Sequence, residues 1–345
     1  MSEYPGTAHR GVVDVIIPLF NEQESLPVLW RRLESVAALC PRWQWRFIFV
    51  NDGSRDGSRT LLDALAEEHP NCTVIHFSRN FGHQMAVTAG LDQSNGDIAC
   101  IIDADLQDPP EVMLEMIEAI EDGYNVAYGQ RTQRVGESAF KLLTAKWFYR
   151  LLSLMTSVDI PVDTGDFRAM DRKVVHAVRS MRERHRFIRG MVAWVGFRSK
   201  AIHYARDARH LGVTKYPFRK MLRFAMDALY SFSDVPLRVA GYTGAIAATC
   251  GFLGISYILA QAMVFGNYLP GVSAVLFAVL ALGGVQLLCI GVLGQYVGRL
   301  FDQSKARPLY LVADIRNPAC AADDSSRASL DAWNDGQRMV GSEPR

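Results

Sequence analysis

No aspartate, glutamate, lysine or arginine occurs between Arg238 and Arg299. The sequence GNYLPG (266–271) divides this charge-free stretch into two apolar segments, residues 239–265 and 272–297. Each segment exceeds the roughly 20 residues that an α-helix needs to cross a bilayer. A pair of buried helices in a large soluble core is the alternative, but adjacent charge-free segments of this length are rare in soluble folds. Two transmembrane helices are therefore predicted.

The charges that flank the two segments predict how they are oriented. Arg238 precedes the first segment, Arg299, Lys305 and Arg307 follow the second, and the connecting loop is uncharged. The positive-inside rule then places both termini in the cytoplasm. The two helices are expected in the inner or plasma membrane. Across the whole chain 37 basic residues oppose 36 acidic ones, so composition gives no indication of nucleic-acid binding.

The N-terminal part of the chain alternates between short apolar runs and segments with helical periodicity. The runs at 12–20, 45–54, 72–78, 97–105 and 125–131 are predicted as strands, and the segments 21–39, 58–68, 83–94 and 110–121 as helices. Strands that are separated by crossover helices form a mostly parallel sheet covered on both faces. The fold class predicted is therefore α/β, Rossmann-like, with flanking helices and the two membrane helices.

Two segments that are both aromatic and basic, 138–155 and 215–232, are predicted to be helices. Each could be a helix that packs against the protein core. Their position before the membrane segments favours instead helices that lie in the membrane interface, in contact with membrane lipids. Residues 308–315 are a strand candidate that could pair back onto the N-terminal domain. The chain thus divides into a cytoplasmic domain of residues 1–235, two membrane helices within 236–300, and a cytoplasmic strand and disordered tail in 301–345.

Polar side chains follow every predicted strand of the N-terminal domain. The clusters are Asn21 and Glu22; Asn51, Asp52 and Ser54; Ser78, Arg79 and Asn80; Asp103, Asp105 and Gln107; and Gln130 and Arg131. Ligands of open α/β sheets bind beyond the carboxyl ends of the strands, where these clusters meet. Five clusters on one edge predict a binding site there.

Asp103, Asp105 and Gln107 supply hard oxygen ligands at the end of the fourth strand. Such ligands suit Mg²⁺ or Mn²⁺ better than zinc, whose sites favour histidine and cysteine. Magnesium takes one or two carboxylates and completes its shell with phosphate and water. A nucleoside diphosphate is therefore the predicted ligand, and Arg131 on the neighbouring strand end would neutralise more of its charge.

The sequences IIPLFNE (16–22), VNDGSRDGS (50–58), SRNFGHQMAVTAGL (78–91) and DADLQDPPE (103–111) occur in this order and spacing. Together they resemble the inverting nucleotide-sugar glycosyltransferases of the GT-A fold. DTGDFRAMDR (163–172), GVTKYP (212–217) and the two membrane segments narrow this resemblance to the polyprenyl-phosphate glycosyltransferases. That group includes bactoprenol glucosyltransferases and dolichyl-phosphate mannosyltransferases, and the resemblance covers residues 11–316.

The resemblance implies a role for each matching residue. On the nucleotide side, Pro18, Asn21, Glu22 and Ser78 would line the pocket, Asp52 would contact the base or ribose, and Asp103 would lie over the ribose and the metal-bound phosphate. Asp105 and Gln107, with Asp103, would ligate the metal, and Arg131 would hold the diphosphate. On the acceptor side, Asp166 matches the proposed catalytic base, while Arg168, Arg206 and Lys215 would receive the acceptor phosphate.

The role of Asp166 stays open on chemical grounds. A phosphate monoester has a second pKa near 6, so a lipid phosphate is already largely dianionic at neutral pH and needs little proton abstraction. Asp166 could instead orient Arg168 or the sugar. A third alternative is a carboxylate that only satisfies a turn in DTGD.

The function that these expectations describe is inverting transfer of a sugar from a nucleoside diphosphate to undecaprenyl or another polyprenyl phosphate at the cytoplasmic membrane face. UDP-glucose is the first candidate donor, and GDP-mannose, UDP-GlcNAc and UDP-aminoarabinose are alternatives. A homo-oligomer is also possible from the sequence. A processive polysaccharide synthase is one alternative, although QRTQRV is a poor match to the Gln-x-x-Arg-Trp motif of such enzymes. A non-catalytic nucleotide-binding membrane anchor is the other.

Overall fold

The computed structural model describes residues 10–132, 164–205, 235–265 and 271–317. The two aromatic and basic segments predicted as interfacial helices, 138–155 and 215–232, lie outside these residues. So do Arg206, Lys215 and the predicted tail.

Eight strands in the described part of the chain form one sheet. They are β1 (Val12–Leu19), β2 (Gln44–Asn51), β3 (Cys72–Phe77), β4 (Ile98–Ile101), β5 (Val126–Arg131), β6 (Thr164–Asp171), β7 (Ser199–Tyr204) and β8 (Val312–Arg316). Their order is β7-β5-β6-β4-β1-β2-β3-β8. β6 runs antiparallel to β4 and β5, and β8 runs antiparallel to β3, whereas the other pairings are parallel. The predicted α/β fold with a mostly parallel sheet is confirmed.

Helices cover both faces of this sheet. They are α1 (Leu26–Leu39), α2 (Ser58–Glu68), α3 (His83–Gln93), α4 (Val112–Glu121), α5 (Arg172–Ser180) and α6 (Ile188–Trp194). Residues of β1 alternate between two apolar cores, with Val15 and Ile17 in one and Ile16 in the other. A side chain at Gly90 of α3 would place its Cβ 2.2 Å from Cγ2 of Ile16, so glycine allows α3 to lie close on β1.

The predicted elements differ from the observed ones mainly at their ends. β4 stops at Ile101, so Asp103 and Asp105 lie in the turn beyond the strand. α1 begins at Leu26 rather than at residue 21, because Pro27 favours the first turn of a helix and the preceding residues are held in a loop. β6 was not predicted as a strand. Asp166 lies within it, so the turn hypothesis for this carboxylate is wrong.

The predicted strand at 308–315 is found as β8, five residues at 312–316 that pair with β3. Immediately before it, the ring of Tyr310 stacks on Phe77 with centroids 5.1 Å apart, and its hydroxyl donates a hydrogen bond of 2.9 Å to Asp92. The segment that follows the apolar stretch is therefore fixed to the same sheet as the strand-end clusters.

The two apolar segments form long helices, α7 (Val235–Phe265) and α8 (Val272–Ser304). Large apolar side chains on both are exposed, among them Tyr242, Ile246, Phe252, Leu287, Leu288 and Leu300. Within the described residues, length and composition qualify one stretch, Ala281–Ser304, as a candidate membrane span. The crossing of α7 stays a prediction.

Candidate active site

The loops after β1 and β2 are joined at the carboxyl edge of the sheet. The Asn21 N–H donates to Oγ of Ser54 (2.9 Å), and Oδ1 of Asn21 accepts from the N–H of Arg55 (2.9 Å). The Glu22 N–H donates to Oγ of Ser58 (3.1 Å). Asn21 has a φ of 56°, a left-handed conformation that asparagine tolerates better than most residues. Two predicted clusters therefore form one structure.

Asp52 connects this structure to the loop after β3. Its carboxylate is buried and accepts hydrogen bonds from the N–H groups of Phe81 (2.6 Å) and Gly82 (2.9 Å). Burial raises the pKa of Asp52, and these two hydrogen bonds oppose that effect only in part. Gly82 has a φ of 102°, which favours glycine directly before α3. Asp52 thus fixes the start of α3, and its contact with a base or ribose stays a prediction.

The turn after β4 presents two carboxylates. The Gln107 N–H donates to Oδ1 of Asp105 (3.2 Å), and Leu106 between them has a φ of 59°, an uncommon conformation for a branched side chain. Oδ1 of Asp103 is buried and has no hydrogen-bond partner among the residues that the structure describes. Burial, together with neighbouring carboxylates that include Asp166, raises the pKa of Asp103 to about 6. Asp103 is thus a half-buried acid whose buried Oδ1 is a vacant acceptor.

Three side chains from two other helices converge on Asp166. Nε of Arg189 donates to its Oδ1 (2.8 Å), and Nε2 of His83 (2.9 Å) and Nε2 of Gln84 (3.1 Å) contact its Oδ2. The same His83 nitrogen lies 3.6 Å from Oδ1 of Asp103. Burial alone would raise the pKa of Asp166, but Arg189 and His83 outweigh burial and hold that pKa well below its usual range. Asp166 is therefore ionised at neutral pH and is a weak proton acceptor.

Arg168 does not contact the Asp166 carboxylate in the way that the sequence allowed. It is buried, and its guanidinium donates to the main-chain carbonyls of Gly165 (3.0 Å) and Asp166 (3.3 Å). Burial lowers the pKa of Arg168 to about 10. Arg168 is therefore a buried residue of β6 that binds main-chain carbonyls, and the Asp166 carboxylate orients Arg189 instead.

Arg131 is held by a second small network. The Tyr204 hydroxyl donates to Oδ1 of Asp108 (2.5 Å), Nε of Arg131 donates to that hydroxyl (3.4 Å), and its Nη2 lies 3.7 Å from Asp108. Burial lowers the pKa of Arg131, but Tyr204 and Asp108 raise it further than burial lowers it. A Cβ at Gly165 would lie 2.9 Å from Nη2 of Arg131, so glycine keeps room for this guanidinium.

The remaining predicted site residues are placed as follows. Pro18 is buried within β1. Ser78 is exposed, and its N–H donates to the carbonyl of Leu311 (3.0 Å), beside β8. The predicted acceptor residues Arg206 and Lys215 lie outside the described part of the chain.

The chemistry of these residues fits a hard divalent cation. Within residues 10–132, 164–205, 235–265 and 271–317, no three histidine, cysteine or acidic side chains form a metal-binding group. Magnesium does not require one, because it binds through one or two carboxylates and completes its shell with phosphate and water. Asp103 and Asp105 supply those carboxylates, and the vacant Oδ1 of Asp103 is the acceptor that such an ion would use.

Comparison with known proteins identifies the family. Residues 14–179 match the model of glycosyl transferase family 2. An uncharacterized glycosyltransferase of Bacillus subtilis (strain 168) is 45% identical over 298 residues, which cover 86% of this chain and 92% of that protein. The chain is a family 2 glycosyltransferase.

This glycosyltransferase is also 38% identical over 300 residues to the bactoprenol glucosyl transferase of Shigella phage SfV, with 87% of this chain and 97% of that protein covered. A prophage bactoprenol glucosyl transferase homolog of Escherichia coli (strain K12) is 35% identical over 304 residues, covering 88% and 99%.

Sequence reasoning missed three side chains of this glycosyltransferase site, His83, Gln84 and Arg189. The first two had a usable signal, because they open the helix that follows the third strand and so lie at the same edge as the five clusters. Arg189 had none. It lies in RFIRG, and only the packing of α6 beside β6 brings it to Asp166.

Proposed function

We propose that this glycosyltransferase transfers a sugar from a nucleoside diphosphate sugar to a polyprenyl phosphate, with inversion at the anomeric carbon. One arrangement carries the proposal. The carboxylates of Asp103 and Asp105 lie at the end of β4, and the Asp166–Arg189 ion pair of 2.8 Å lies beside them, bridged through His83. A predicted cation site at Asp103 and Asp105 and the side chains of Arg189 and His83 thus lie together, where they can neutralise two anionic substrates. The relatives named bactoprenol glucosyl transferases support the lipid acceptor, and they favour UDP-glucose and undecaprenyl phosphate as the first substrates to test.

On the donor side, Asp103, Asp105 and Gln107 would hold Mg²⁺ or Mn²⁺, and a bound cation would neutralise charge on the departing nucleoside diphosphate. Arg131 adds a positive charge for the same leaving group, and its position is fixed by Tyr204 and Asp108. Asp52 shapes the nucleotide pocket through the loop before α3.

On the acceptor side, electrostatic attraction matters more than proton removal. The second pKa of a phosphate monoester is about 6, so the nucleophile reaches the enzyme largely as a dianion. Asp166 is ionised and accepts three hydrogen bonds, so it positions Arg189 and His83 and removes no proton. These side chains offset the repulsion between the lipid phosphate and the nucleotide. Arg206 and Lys215 contribute further positive charge, as the family resemblance implies.

Both α7 and α8 cross the inner or plasma membrane, and the catalytic domain and both termini lie on the cytoplasmic side. The exposed apolar side chains of the two helices support this arrangement, because a surface of this kind is stable in lipid and not in water. A reporter fused after Arg345 should be cytoplasmic, and one inserted at Asn267 should face the opposite side. Finding both reporters on one side contradicts the two-span topology.

The decisive experiment is a product assay with the purified full-length protein. A panel of nucleotide sugars is incubated with undecaprenyl phosphate, and the lipid product is identified by mass spectrometry. We expect one sugar per lipid, transfer that stops in excess chelator, and recovery with Mg²⁺ or Mn²⁺ but poor recovery with Zn²⁺. Polymer formation would identify a processive synthase, and nucleotide binding without any product would identify a non-catalytic anchor.

The acceptor residues need their own test. If Lys215 and Arg206 bind the acceptor phosphate through charge-assisted hydrogen bonds, alanine at either should lower kcat/KM for polyprenyl phosphate about tenfold or more. Binding of the nucleotide sugar should stay nearly unchanged. Lys220→Ala is the matched control, because a residue that only attracts anionic headgroups contributes about 1 kcal/mol or less. Equal, small losses in all three variants contradict the acceptor role.

A further inference from the structure

The strand that follows the apolar helices does more than close one edge of the sheet. β8 pairs antiparallel with β3, with Arg316 opposite Val74 and Asp314 opposite His76. Nε of Arg316 donates a hydrogen bond of 3.0 Å to Oδ1 of Asp63 on α2. The C-terminal strand therefore supplies a cation to an acid that lies on a helix of the catalytic domain.

The same oxygen of Asp63 contacts a histidine inside the sheet. His76 is 1% exposed, and its Nε2 lies 3.2 Å from Oδ1 of Asp63. Its Nδ1 lies 3.0 Å from Nδ2 of Asn51, at the end of β2. Both ring nitrogens of a buried histidine are thus used, one towards the edge of the sheet and one towards its centre.

The chemistry of the neighbours fixes the direction of these hydrogen bonds. Oδ1 of Asn51 accepts from the N–H of Ser54 (2.9 Å), so the Asn51 amide nitrogen must face His76. An amide nitrogen only donates, so Nδ1 of His76 accepts and Nε2 carries the hydrogen that is donated to Asp63. Burial lowers the pKa of His76 more than Asp63 raises it, which keeps the ring in this neutral form.

Beyond Asn51 the chain of hydrogen bonds reaches the nucleotide side of the candidate site. Oγ of Ser54 accepts from the N–H of Asn21, which is predicted to line the pocket. The sequence of contacts is Arg316, Asp63, His76, Asn51, Ser54 and Asn21. A buried polar side chain is costly unless every polar atom is paired, so such a chain is sensitive to loss of any one member.

We infer that the C-terminal strand β8 is a working part of the nucleotide site, and that His76 is the positioning residue that transmits its docking to Asn51 and the loop at Asn21. The inference rests on the proposed function, because it assumes that this edge binds a nucleoside diphosphate. It adds that nucleotide affinity depends on the segment that follows the membrane helices. Arg316, Asp63 and His76 contact no reacting atom and act only through Asn51.

The test measures binding rather than turnover. Binding of UDP and of GDP, each with Mg²⁺, is measured by calorimetry on the full-length protein. His76→Phe keeps a ring in the sheet but removes both hydrogen bonds, and it should raise Kd about tenfold, which corresponds to about 1.4 kcal/mol. Arg316→Gln changes the exposed end of this series of hydrogen bonds and should raise Kd about threefold. The KM of the nucleotide sugar should rise in parallel, whereas kcat and the KM of the lipid acceptor should change less than about twofold.

A double variant tests whether His76 and Arg316 act through the same series of hydrogen bonds. If they do, His76→Phe combined with Arg316→Gln should bind no more weakly than His76→Phe alone. Arg42→Gln is the matched control. It makes the same change of charge at an arginine of similar exposure that also lies 3.0 Å from a carboxylate, that of Glu121, but this pair is not part of the chain of contacts from β8 to Asn21, and nucleotide affinity should not change.

Each outcome decides the inference. Unchanged nucleotide affinity in folded His76→Phe and Arg316→Gln overturns it, as do strictly additive effects or an equal effect of Arg42→Gln. If His76→Phe fails to fold, Arg316→Gln and Asp63→Asn decide, because both side chains are partly exposed. Wild-type protein that binds neither nucleotide overturns the proposed function and this inference with it. Wild-type binding with unaffected variants overturns the inference alone.

Discussion

Asp14 and Asp103 lie at opposite ends of the parallel strands, Asp14 near the start of β1 and Asp103 just beyond β4. They differ in how many of their carboxylate oxygens accept hydrogen bonds. Asp14, near the start of β1, is fully buried and accepts from Nε and Nη2 of its cross-strand neighbour Arg46 (2.7 and 2.9 Å). It also accepts from Oγ of Ser94 (2.9 Å) and from the N–H groups of Asn95 and Gly96 (2.8 and 2.7 Å). At the carboxyl edge, Oδ1 of Asp103 is buried without a hydrogen-bond partner in the described part of the chain.

The difference separates structural acids from acids that await a ligand. Five hydrogen bonds to Asp14 fix the start of β1 to β2 and to the loop before β4, and both of its oxygens are used. Oδ1 of Asp103 keeps an acceptor position that a cation or a donor group can use. Asp14 therefore has a structural role, whereas the unused acceptor atom of Asp103 indicates a ligand-binding role.

The largest expected effect is on activity at the carboxyl edge. Asp103→Asn should lower kcat/KM at least about a hundredfold, because it removes a charge that helps to hold the cation that neutralises the leaving group. The thermal unfolding temperature should stay the same or rise, since a charge that burial disfavours has been removed. The measurement pairs a transfer assay with thermal unfolding. A large fall in stability would move Asp103 into the same class as Asp14.

At the opposite edge, the expected effect is on stability. Asp14→Asn should lower the free energy of unfolding by about 3 kcal/mol, because it leaves the partly buried Arg46 without its charge partner. Activity per folded molecule should not change. Denaturant titration together with an assay below the unfolding transition measures both. A loss of activity in fully folded protein would contradict the structural role of Asp14.

A smaller effect is expected at Arg131, which Tyr204 and Asp108 hold in position. Tyr204→Phe removes the hydroxyl between Arg131 and Asp108 with little change of shape. A hydrogen bond to a charged group contributes about 1.5–3 kcal/mol, so kcat should fall about tenfold as Arg131 loses its orientation. Ser199→Ala, at the exposed start of the same strand, is the control and should have full activity. Full activity in Tyr204→Phe would separate this network from catalysis.

The smallest effect is the pH dependence of stability in metal-free protein. The pKa of Asp103 is raised to about 6, so the folded state binds more protons than the unfolded state between about pH 4 and pH 6. The contribution of Asp103 should therefore be lost as pH rises through this window. The change should be about 1 kcal/mol or less, because the side chain is partly exposed.

Comparison of unfolding at pH 4.5 and pH 6.5 in wild type and Asp103→Asn isolates this contribution. The pH dependence of the variant should be flatter on its basic side. Identical pH profiles would show that the Asp103 carboxyl is solvated like an ordinary acid and would weaken its contrast with Asp14.

Local sequence patterns determined most of the framework. Apolar runs alternating with helical segments predicted five strands and four helices within a few residues, because side-chain periodicity along the chain reflects which face is buried. The same patterns predicted that the polar clusters share one edge, since parallel strands all end on the same side. The hydrogen bonds that join Asn21 to Ser54 and Asp52 to Gly82 agree with this prediction. The family followed from short motifs within these loops.

Tertiary structure alone decided how Asp166 is used and what β8 contacts. Asp166 lies in a strand that inserts antiparallel between β4 and β5, and its partners His83 and Arg189 lie 83 and 23 residues away along the chain. Arg316 reaches Asp63 across 253 residues. Hydrogen bonds between such distant segments leave no periodic pattern in either segment, because the local sequence does not distinguish these side chains from other polar residues. Which carboxylate is saturated, and which keeps an open acceptor for a ligand, depends on packing that only the folded chain creates.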